Sequence, residues 1–466
     1  MNNTWIRYWA VWFLVIGGNW AAYHLSIEIR IAHHIISTVF LGWWLIRRGL
    51  PIHPLTIPGL AMMVWVVIST GQSIDPRMGL ENAWHWIINI LLVFVAIDWA
   101  RAGKLYVAYS AIFAVLGVST AIMLLQSVLD PSSRPGGLFL LTNLGGAMLA
   151  AMVVPIYDRL KEWDYSWGRA VTWPAMGLIG FALLMNQSRG AWLAVAVSVG
   201  VYLWLNGRRW AVGGLAVVAI LGVSLVSGQS GRQAGDNVRL HLWDSANRIS
   251  QAYPWGVGPG LFPQAYRAYS TMPDDDRLTG AHNLYLNLRA ELGWPAVLIG
   301  AWMVLVSIST VRVMTQYIPR YRATAAALAG VAVHMLFDNF PVTAYAFIVA
   351  VLVADLTAPK YSIGFKLPRP KLMAVFSTLN LALVFWLVAY ALGFIAFDVG
   401  QVYYEDSLRT GSLEAAHLAR QLDPDNRLYE LHIDRLQGVD VQALIGQGVR
   451  LDQWAMTNYN RVWITP

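Results

Sequence analysis

Cysteine is absent from all 466 residues. Disulfides, iron–sulfur clusters, thiolate catalysis and cysteine-type zinc sites are therefore excluded. Charge is scarce too: 13% of the residues are Asp, Glu, Lys or Arg, where soluble domains carry about a quarter. Hydrophobic residues reach 57% and the mean hydropathy is +0.49. These values exclude an ordinary soluble enzyme, a disordered chain and a coiled coil, and leave a polytopic membrane protein. Tryptophan is abundant, with 23 residues. Its apolar ring and N–H donor are both satisfied at a membrane–water interface.

Apolar runs fall near 8–24, 31–46, 55–70, 83–100, 105–129, 138–157, 170–187, 191–205, 211–227, 292–310, 323–337, 344–357 and 372–397, which gives 13 candidate spans. The expected fold is an all-α polytopic transmembrane bundle of about 12–13 spans. The first run lacks a small-residue cleavage site and reads as a retained helix. Arg7 and the alternate loops with Arg47, Arg48, Arg101, Lys104, Arg159, Lys161, Arg208, Arg209 and Lys360 belong to a set of 17 basic residues, against four (Arg30, Arg77, Arg134 and Arg189) in the intervening short loops. The rule that basic loops stay inside makes the first set cytoplasmic. The net charge of +7 is thus a topology signal and no nucleic-acid partner is implied. The protein is expected in the inner membrane, as a transmembrane domain over 1–397 and an extracytoplasmic helical tail over 398–466. The loop 228–291 is expected on the outer side. Within the tail, two short amphipathic helices are expected between Asp406 and Asn426, and Glu414–Pro424 resembles half of a tetratricopeptide-type hairpin. One hairpin buries little alone, so it is expected to pack on the 228–291 loop or to dock a partner.

An ionisable residue at membrane depth costs about 2–3 kcal/mol even on lenient scales and needs a reason. The turn Gln187-Ser188-Arg189-Gly190-Ala191-Trp192 places Arg189 at a helix N-terminus, with Ser188 as cap. Free N–H groups and a guanidinium together suit phosphate; the alternative is an arginine snorkelling to headgroups. Arg239 and Trp243 begin an amphipathic helix that runs to about Ala252. The Pro254–Gly260 segment is a tight irregular loop, because its glycine spacing is wrong for a dinucleotide fingerprint. Asp274-Asp275-Asp276 could hold a divalent cation, although such runs are usually just solvated. His282-Asn283 precedes the outer start of a helix. An imidazole there can take a proton at neutral pH; the alternative is a structural histidine. His334 and Asp338, spaced i, i+4, are expected on one face near the outer end of an apolar helix. Arg, His and Asp drawn from several outer loops suit an anionic lipid-linked substrate, a polyprenyl diphosphate lying at headgroup level.

With these motifs in order, the chain resembles the O-antigen ligase and O-antigen polymerase superfamily of membrane glycosyltransferases. Ser188-Arg189-Gly190-Ala191-Trp192 is similar to the family's SRGAW turn, and Arg239 with Trp243 and Pro254–Gly260 to its R…W…P…G-x-G segment. His282-Asn283 with Glu291-Leu292-Gly293 resembles its HN…G motif, Asp338 its acidic residue on a later helix, and Gly137–Ala151 with Asn143 an earlier Gly/Asn-rich stretch. The resemblance spans about 130–350. Ala296 stands where a second glycine is expected, the outer loop is short for a ligase, and a thirteenth helix and the tail exceed the usual plan.

The resemblance implies transfer of a glycan from undecaprenyl diphosphate to an acceptor hydroxyl on the periplasmic face, with inversion and without metal or cofactor. Arg189, Arg239 and Ser188 would bind the diphosphate. His282 would deprotonate or orient the acceptor hydroxyl, and Asp338 would position a partner, either His282 or an arginine. Asn283, His334 and Trp243 would support them. The partners implied are the lipid-linked glycan, an acceptor glycolipid or glycan, and the bilayer. A lipid A-core acceptor (ligase) is the favoured expectation, with a growing glycan (polymerase) or a protein hydroxyl as alternatives. A lipid-linked sugar transporter is the more distant reading, since it needs midplane polar groups and broken helices; a non-catalytic assembly scaffold is another.

Overall fold

The computed structural model describes residues 27–139, 141–161, 166–208, 233–270, 280–339, 343–357, 369–424 and 426–439. Among the described residues every regular element is helical. In chain order these are α1 (Ile27–Arg48), α2 (Thr56–Gly71), α3 (Pro76–Arg101), α4 (Leu105–Leu129), α5 (Thr142–Lys161), α6 (Ser166–Asn186), α7 (Arg189–Leu205), α8 (Gln233–Ala252), α9 (Phe262–Tyr269), α10 (Leu284–Tyr317), α11 (Tyr321–His334), α12 (Thr343–Thr357), α13 (Arg369–Thr410), α14 (Leu413–Leu422) and α15 (Arg427–Leu436). Eleven of the 13 expected apolar runs coincide with helices. The other two, 8–24 and 211–227, lie outside the described residues, as do Asp274–Asp276.

Pro76–Arg101, Leu105–Leu129, Leu284–Thr310 and Thr378–Thr410 are long and apolar enough to cross a bilayer. Shorter apolar helices, including Thr56–Gly71 and Arg189–Leu205, fill in the bundle. Polar residues are few along these segments because helices satisfy their own backbone groups, which a lipid solvent demands. The protein is an all-α, multi-pass membrane protein. Its core centres on α3, where Trp84, Ile87, Ile88, Leu91 and Phe94 are buried. α3 packs along α12 and α2, and α13 packs along α1.

The closest-packed pair positions the functional residues. α7 and α11 lie against each other through small side chains, Ala194 and Ser198 facing Gly330. Small residues let helix backbones approach where apolar burial offers no extra drive. The N-terminus of α7 and the C-terminus of α11 thereby meet.

Three boundaries depart from expectation. The run 138–157 begins with a 3₁₀ turn at Gly137–Phe139 and becomes helical only at Thr142. Side chains of α4 hold that turn: Gln126 accepts from the Gly137 N–H and Ser119 from the Leu138 N–H. Helix α11 stops at His334, so Asp338 lies past its end and the expected shared helix face does not exist. The expected break at 397/398 is also absent, because α13 continues unbroken for 42 residues. At 1.5 Å per residue that is roughly 63 Å, about twice a hydrocarbon core.

The tail hairpin corrects the sequence expectation as well. Residues after Asp406 finish α13, and the two short helices are α14 and α15, displaced toward the C-terminus. Ser412 caps α14 by accepting from the Ala415 N–H, and Asn426 caps α15. Among the described residues the hairpin packs on α13 and the start of α3. There Arg77 Nε donates to both oxygens of the buried Asp423, at 2.8 and 2.9 Å, while the guanidinium sits over the Phe397 ring.

Candidate functional site

The segment between α7 and α10 is built around a fault in α10. Pro295 has no N–H to give the Glu291 carbonyl, and Gly293 adopts φ +71°, so the helix kinks. The Pro254–Gly260 segment supplies the missing partners. Gly258 N–H donates to the Glu291 carbonyl at 2.9 Å, Val257 N–H to the Ala290 carbonyl at 3.0 Å, and Trp294 N–H to the Pro254 carbonyl at 3.0 Å. Trp65 of α2 donates its indole N–H to the Leu292 carbonyl at 2.7 Å. A side chain at Gly293 would strike the Trp255 and Pro254 backbone. The glycine-rich motif is the tight irregular loop its spacing indicates, and it also splints a broken helix, which the sequence did not announce. Glu291 is buried beneath it and accepts from the Gly260 and Phe262 N–H groups and the Asn287 amide.

Beyond the kink, the start of α10 carries His282-Asn283. Asn283 Oδ1 accepts from the Tyr285 and Leu286 N–H groups and caps the helix, while its Nδ2 donates to the Leu336 carbonyl at 2.9 Å. Leu284 N–H donates to the Met335 carbonyl, and the Tyr285 hydroxyl to the Ala332 carbonyl. The His282 segment is thus tied to the turn that follows α11. His282 itself has φ +47°, a left-handed conformation that a non-glycine residue holds only when its surroundings fix it.

The tie brings His282 and Asp338 together. His282 Nδ1 lies 3.1 Å from Asp338 Oδ1; the imidazole side chain is 35% exposed and the carboxylate 6%. Asn339 N–H donates to the same oxygen at 3.0 Å. Asn143 Nδ2, from the first turn of α5, donates to Asp338 Oδ2 at 3.0 Å. Arg134 then donates from Nη2 to Asn143 Oδ1 at 3.1 Å and from Nε to the Asn186 carbonyl at 3.0 Å. His282 lies between Arg277 and Arg289 in sequence, but its ring faces an anion.

Ser188, Arg189 and Gly190 open α7. Ser188 is the N-cap and accepts from the Ala191 N–H, and Arg189 is the first helical residue, both as the sequence indicates. Gly190 leaves room for the buried His334 ring: a Cβ there would come within 2.7 Å of its Cδ2. The space that Gly190 leaves beside the α7 backbone is filled by His334. Arg239, half-buried on α8, lies near enough to His334 to act on it electrostatically. Trp243, one turn on, packs its ring against Phe337, 6.5 Å between centroids, in the turn that leads to Asp338. His334 thus sits between the segments bearing the two arginines, while Trp243 and Asn283 brace the Asp338 turn.

Two members of this cluster escape a sequence reading. Asn143 appears there only as part of a loose resemblance, and Arg134 only as an outer-loop charge. A signal for Arg134 existed: it is one of the four basic residues on the sparsely charged side.

Residues 174–301 match the family model described as O-antigen ligase. The match bears out the resemblance to the O-antigen ligase and polymerase superfamily, over a narrower span than the motifs suggested. It contains Ser188, Arg189, Arg239, Trp243, His282 and Asn283, whereas Asn143, His334 and Asp338 lie outside it. No curated protein matches the chain.

Proposed function

We propose that this chain, a membrane glycosyltransferase of the O-antigen ligase and polymerase type, transfers a glycan from a polyprenyl (undecaprenyl) diphosphate to an acceptor hydroxyl. Transfer takes place at the periplasmic face of the inner membrane. The observation that carries the reading is the His282–Asp338 pair, its imidazole 35% exposed, with Arg239 acting on His334 close by and Gly190, the residue after Arg189, lying against the same His334 ring. Asp338 can only accept, so His282 carries its proton on Nδ1 and offers the Nε2 lone pair outward.

Each part then has a step. His282 Nε2 takes the proton of the acceptor hydroxyl as its oxygen forms a bond to the anomeric carbon. The bond between that carbon and the phosphate oxygen breaks on the opposite face, and the diphosphate leaves with the electron pair. The result is inversion. Arg189 and Arg239, with the free N–H groups of the α7 N-terminus, offset the charge that develops on the leaving group. Asp338 stabilises the imidazolium. A lipid A-core sugar is the favoured acceptor, which makes the protein an O-antigen ligase. A polymerase or a protein O-oligosaccharyltransferase would use the same parts on another hydroxyl.

The test uses the full chain in nanodiscs with an undecaprenyl-diphosphate-linked glycan as donor. His282→Ala should cut transfer by about 10²–10⁴-fold, the usual worth of a positioned general base, and leave donor binding nearly unchanged. Arg189→Ala should weaken donor binding. Loss of donor binding in His282→Ala with intact single-turnover chemistry would make His282 a donor ligand. The glycan forms of a deletion strain then separate the acceptors. Loss of all attached polymer identifies a ligase, and a single attached unit identifies a polymerase.

A further inference from the structure

The Asp338 carboxylate is held from a side that the transfer chemistry does not touch. Four groups stand in a row, Arg134, Asn143, Asp338 and His282, joined by contacts of 3.1, 3.0 and 3.1 Å. They come from the α4–α5 turn, the first turn of α5, the turn after α11 and the turn before α10. Each contact can run in one direction only. Arginine has donors and no acceptor, so Asn143 must present its carbonyl oxygen to Arg134 and its NH₂ to Asp338. The carboxylate has acceptors only, so His282 must present a protonated Nδ1 to it. The row starts at a pure donor, and its polarity is fixed up to the lone pair on His282 Nε2.

We infer that Asn143 and Arg134 are positioning residues for the His282–Asp338 pair: they hold the carboxylate in the orientation that selects the Nε2-unprotonated tautomer of His282. Arg134 has a second attachment, its Nε donating to the carbonyl of Asn186, two residues before the Ser188 cap. Asn186 in turn donates from Nδ2 to the Pro135 and Thr142 carbonyls at 2.8 and 2.7 Å. The turn that presents Arg189 and the carboxylate that orients His282 are therefore parts of one hydrogen-bonded frame. Neither Asn143 nor Arg134 needs to touch a substrate for this role. The inference rests on reading His282 as the acceptor-side base, but its test requires no glycan.

The other ionisable groups around the pair stay in place when Asn143 is changed. His334 on α11 and Tyr345 on α12 both feel the Asp338 charge, Tyr285 on α10 lies near Tyr345, and Arg239 on α8 acts on His334. Arg189 stands on the neighbouring α7 turn. Asn143 is half-buried in the first turn of its helix, where alanine is tolerated.

The probe is diethyl pyrocarbonate, which acylates only unprotonated imidazole. Its rate at the His282 peptide, followed by mass spectrometry across pH on the full chain in nanodiscs, reads how tightly the carboxylate holds the imidazolium. Removing a donor from Asp338 concentrates negative charge toward His282, so Asn143→Ala should move the midpoint of His282 labelling upward, by up to about one pH unit. The isosteric Asn143→Asp exchanges the donor for a second carboxylate and should move it further up. Arg134→Ala should move it less, in the same direction, and Asp338→Asn should move it down. The inference is overturned if Asp338→Asn shifts the midpoint while Asn143→Ala and Asn143→Asp leave it where the unaltered protein has it. Failure of the transferase reading would appear separately, as full transfer activity in His282→Ala.

Discussion

Among the described residues, two His–Asp pairs share a local geometry in different surroundings. His282 Nδ1 meets Asp338 at 3.1 Å, and His34 Nδ1 meets Asp398 at 3.1 Å. The first joins two loop segments, and its imidazole is 35% exposed. The second joins α1 to α13 in the packed interior, where the two side chains are 3% and 4% exposed. Aromatic rings close over it: Trp84 lies edge-on to His34 and stacks on Tyr390. The hydrogen bond alone does not distinguish a base from a brace. What distinguishes them is whether the other ring nitrogen can reach a reacting proton, and only the His282 site is open enough for that.

The comparison is broken or sharpened most directly by removing each histidine in turn. Taking the histidine away removes a hydrogen-bonding partner from the buried Asp398 carboxyl, at a cost of about 1–3 kcal/mol, and empties packed volume beside Trp84. His34→Ala should therefore lower the thermal midpoint and detergent tolerance strongly, while the enzyme that remains folded keeps its pH–rate profile. His282→Ala should do the opposite, with near-normal thermal unfolding and transfer reduced as given above. If His34→Ala abolishes transfer at an unchanged melting temperature, the buried pair is part of the chemistry and the contrast fails.

How much of this could be read in advance depends on which physical signal carried it. Apolar runs of membrane length are strong and local, so α3, α4 and α10 were expected in place. Ser188 and Arg189 were readable because a cap residue followed by an arginine announces a helix start within three positions. His282 and Asp338 were readable singly from the residues; their pairing was offered only by the resemblance, with an arginine as the alternative partner, because 56 residues separate them. The i, i+4 spacing of His334 and Asp338 suggested a different pairing, which the end of α11 at His334 removes. His34 and Asp398 gave no signal at all, since 364 residues of sequence lie between them. Arg77 and Asp423, which moor the tail, stand 346 residues apart and gave no signal either. Tertiary partnerships of this kind arise from helix packing, which no local pattern encodes.

A smaller effect separates the two arginines from ordinary interfacial ones. A guanidinium offers a planar fork that can hold a diphosphate at two points, whereas an ammonium is a single point charge. Arg189→Lys and Arg239→Lys keep the charge and lose the fork. Each should cost transfer about tenfold or more, the worth of one charge-assisted hydrogen bond, with expression intact. Near-normal rates in both variants would make these residues snorkelling arginines. The His282–Asp338 pair would then need another source of leaving-group stabilisation, and Arg134 is the next guanidinium in the frame.

The smallest expected effect is that of chelation. A diphosphate leaving group needs positive charge, which a divalent cation or arginines can supply. Here Arg239 acts electrostatically on His334, which also feels Asp338, and the α7 N-terminus that carries Arg189 meets the same His334 ring at Gly190, while the Asp338 oxygens already accept from His282, Asn143 and the Asn339 N–H. A carboxylate so occupied is a poor metal ligand. Transfer by the purified enzyme should accordingly survive EDTA, with a rate within about twofold of the untreated protein, well inside the tenfold that one charge-assisted contact is worth. Loss of activity in EDTA with recovery on adding Mn²⁺ would overturn this. It would direct attention to Asp274, Asp275 and Asp276 as ligands, since that acidic run is drawn from the same outer loop that carries Arg239 and His282.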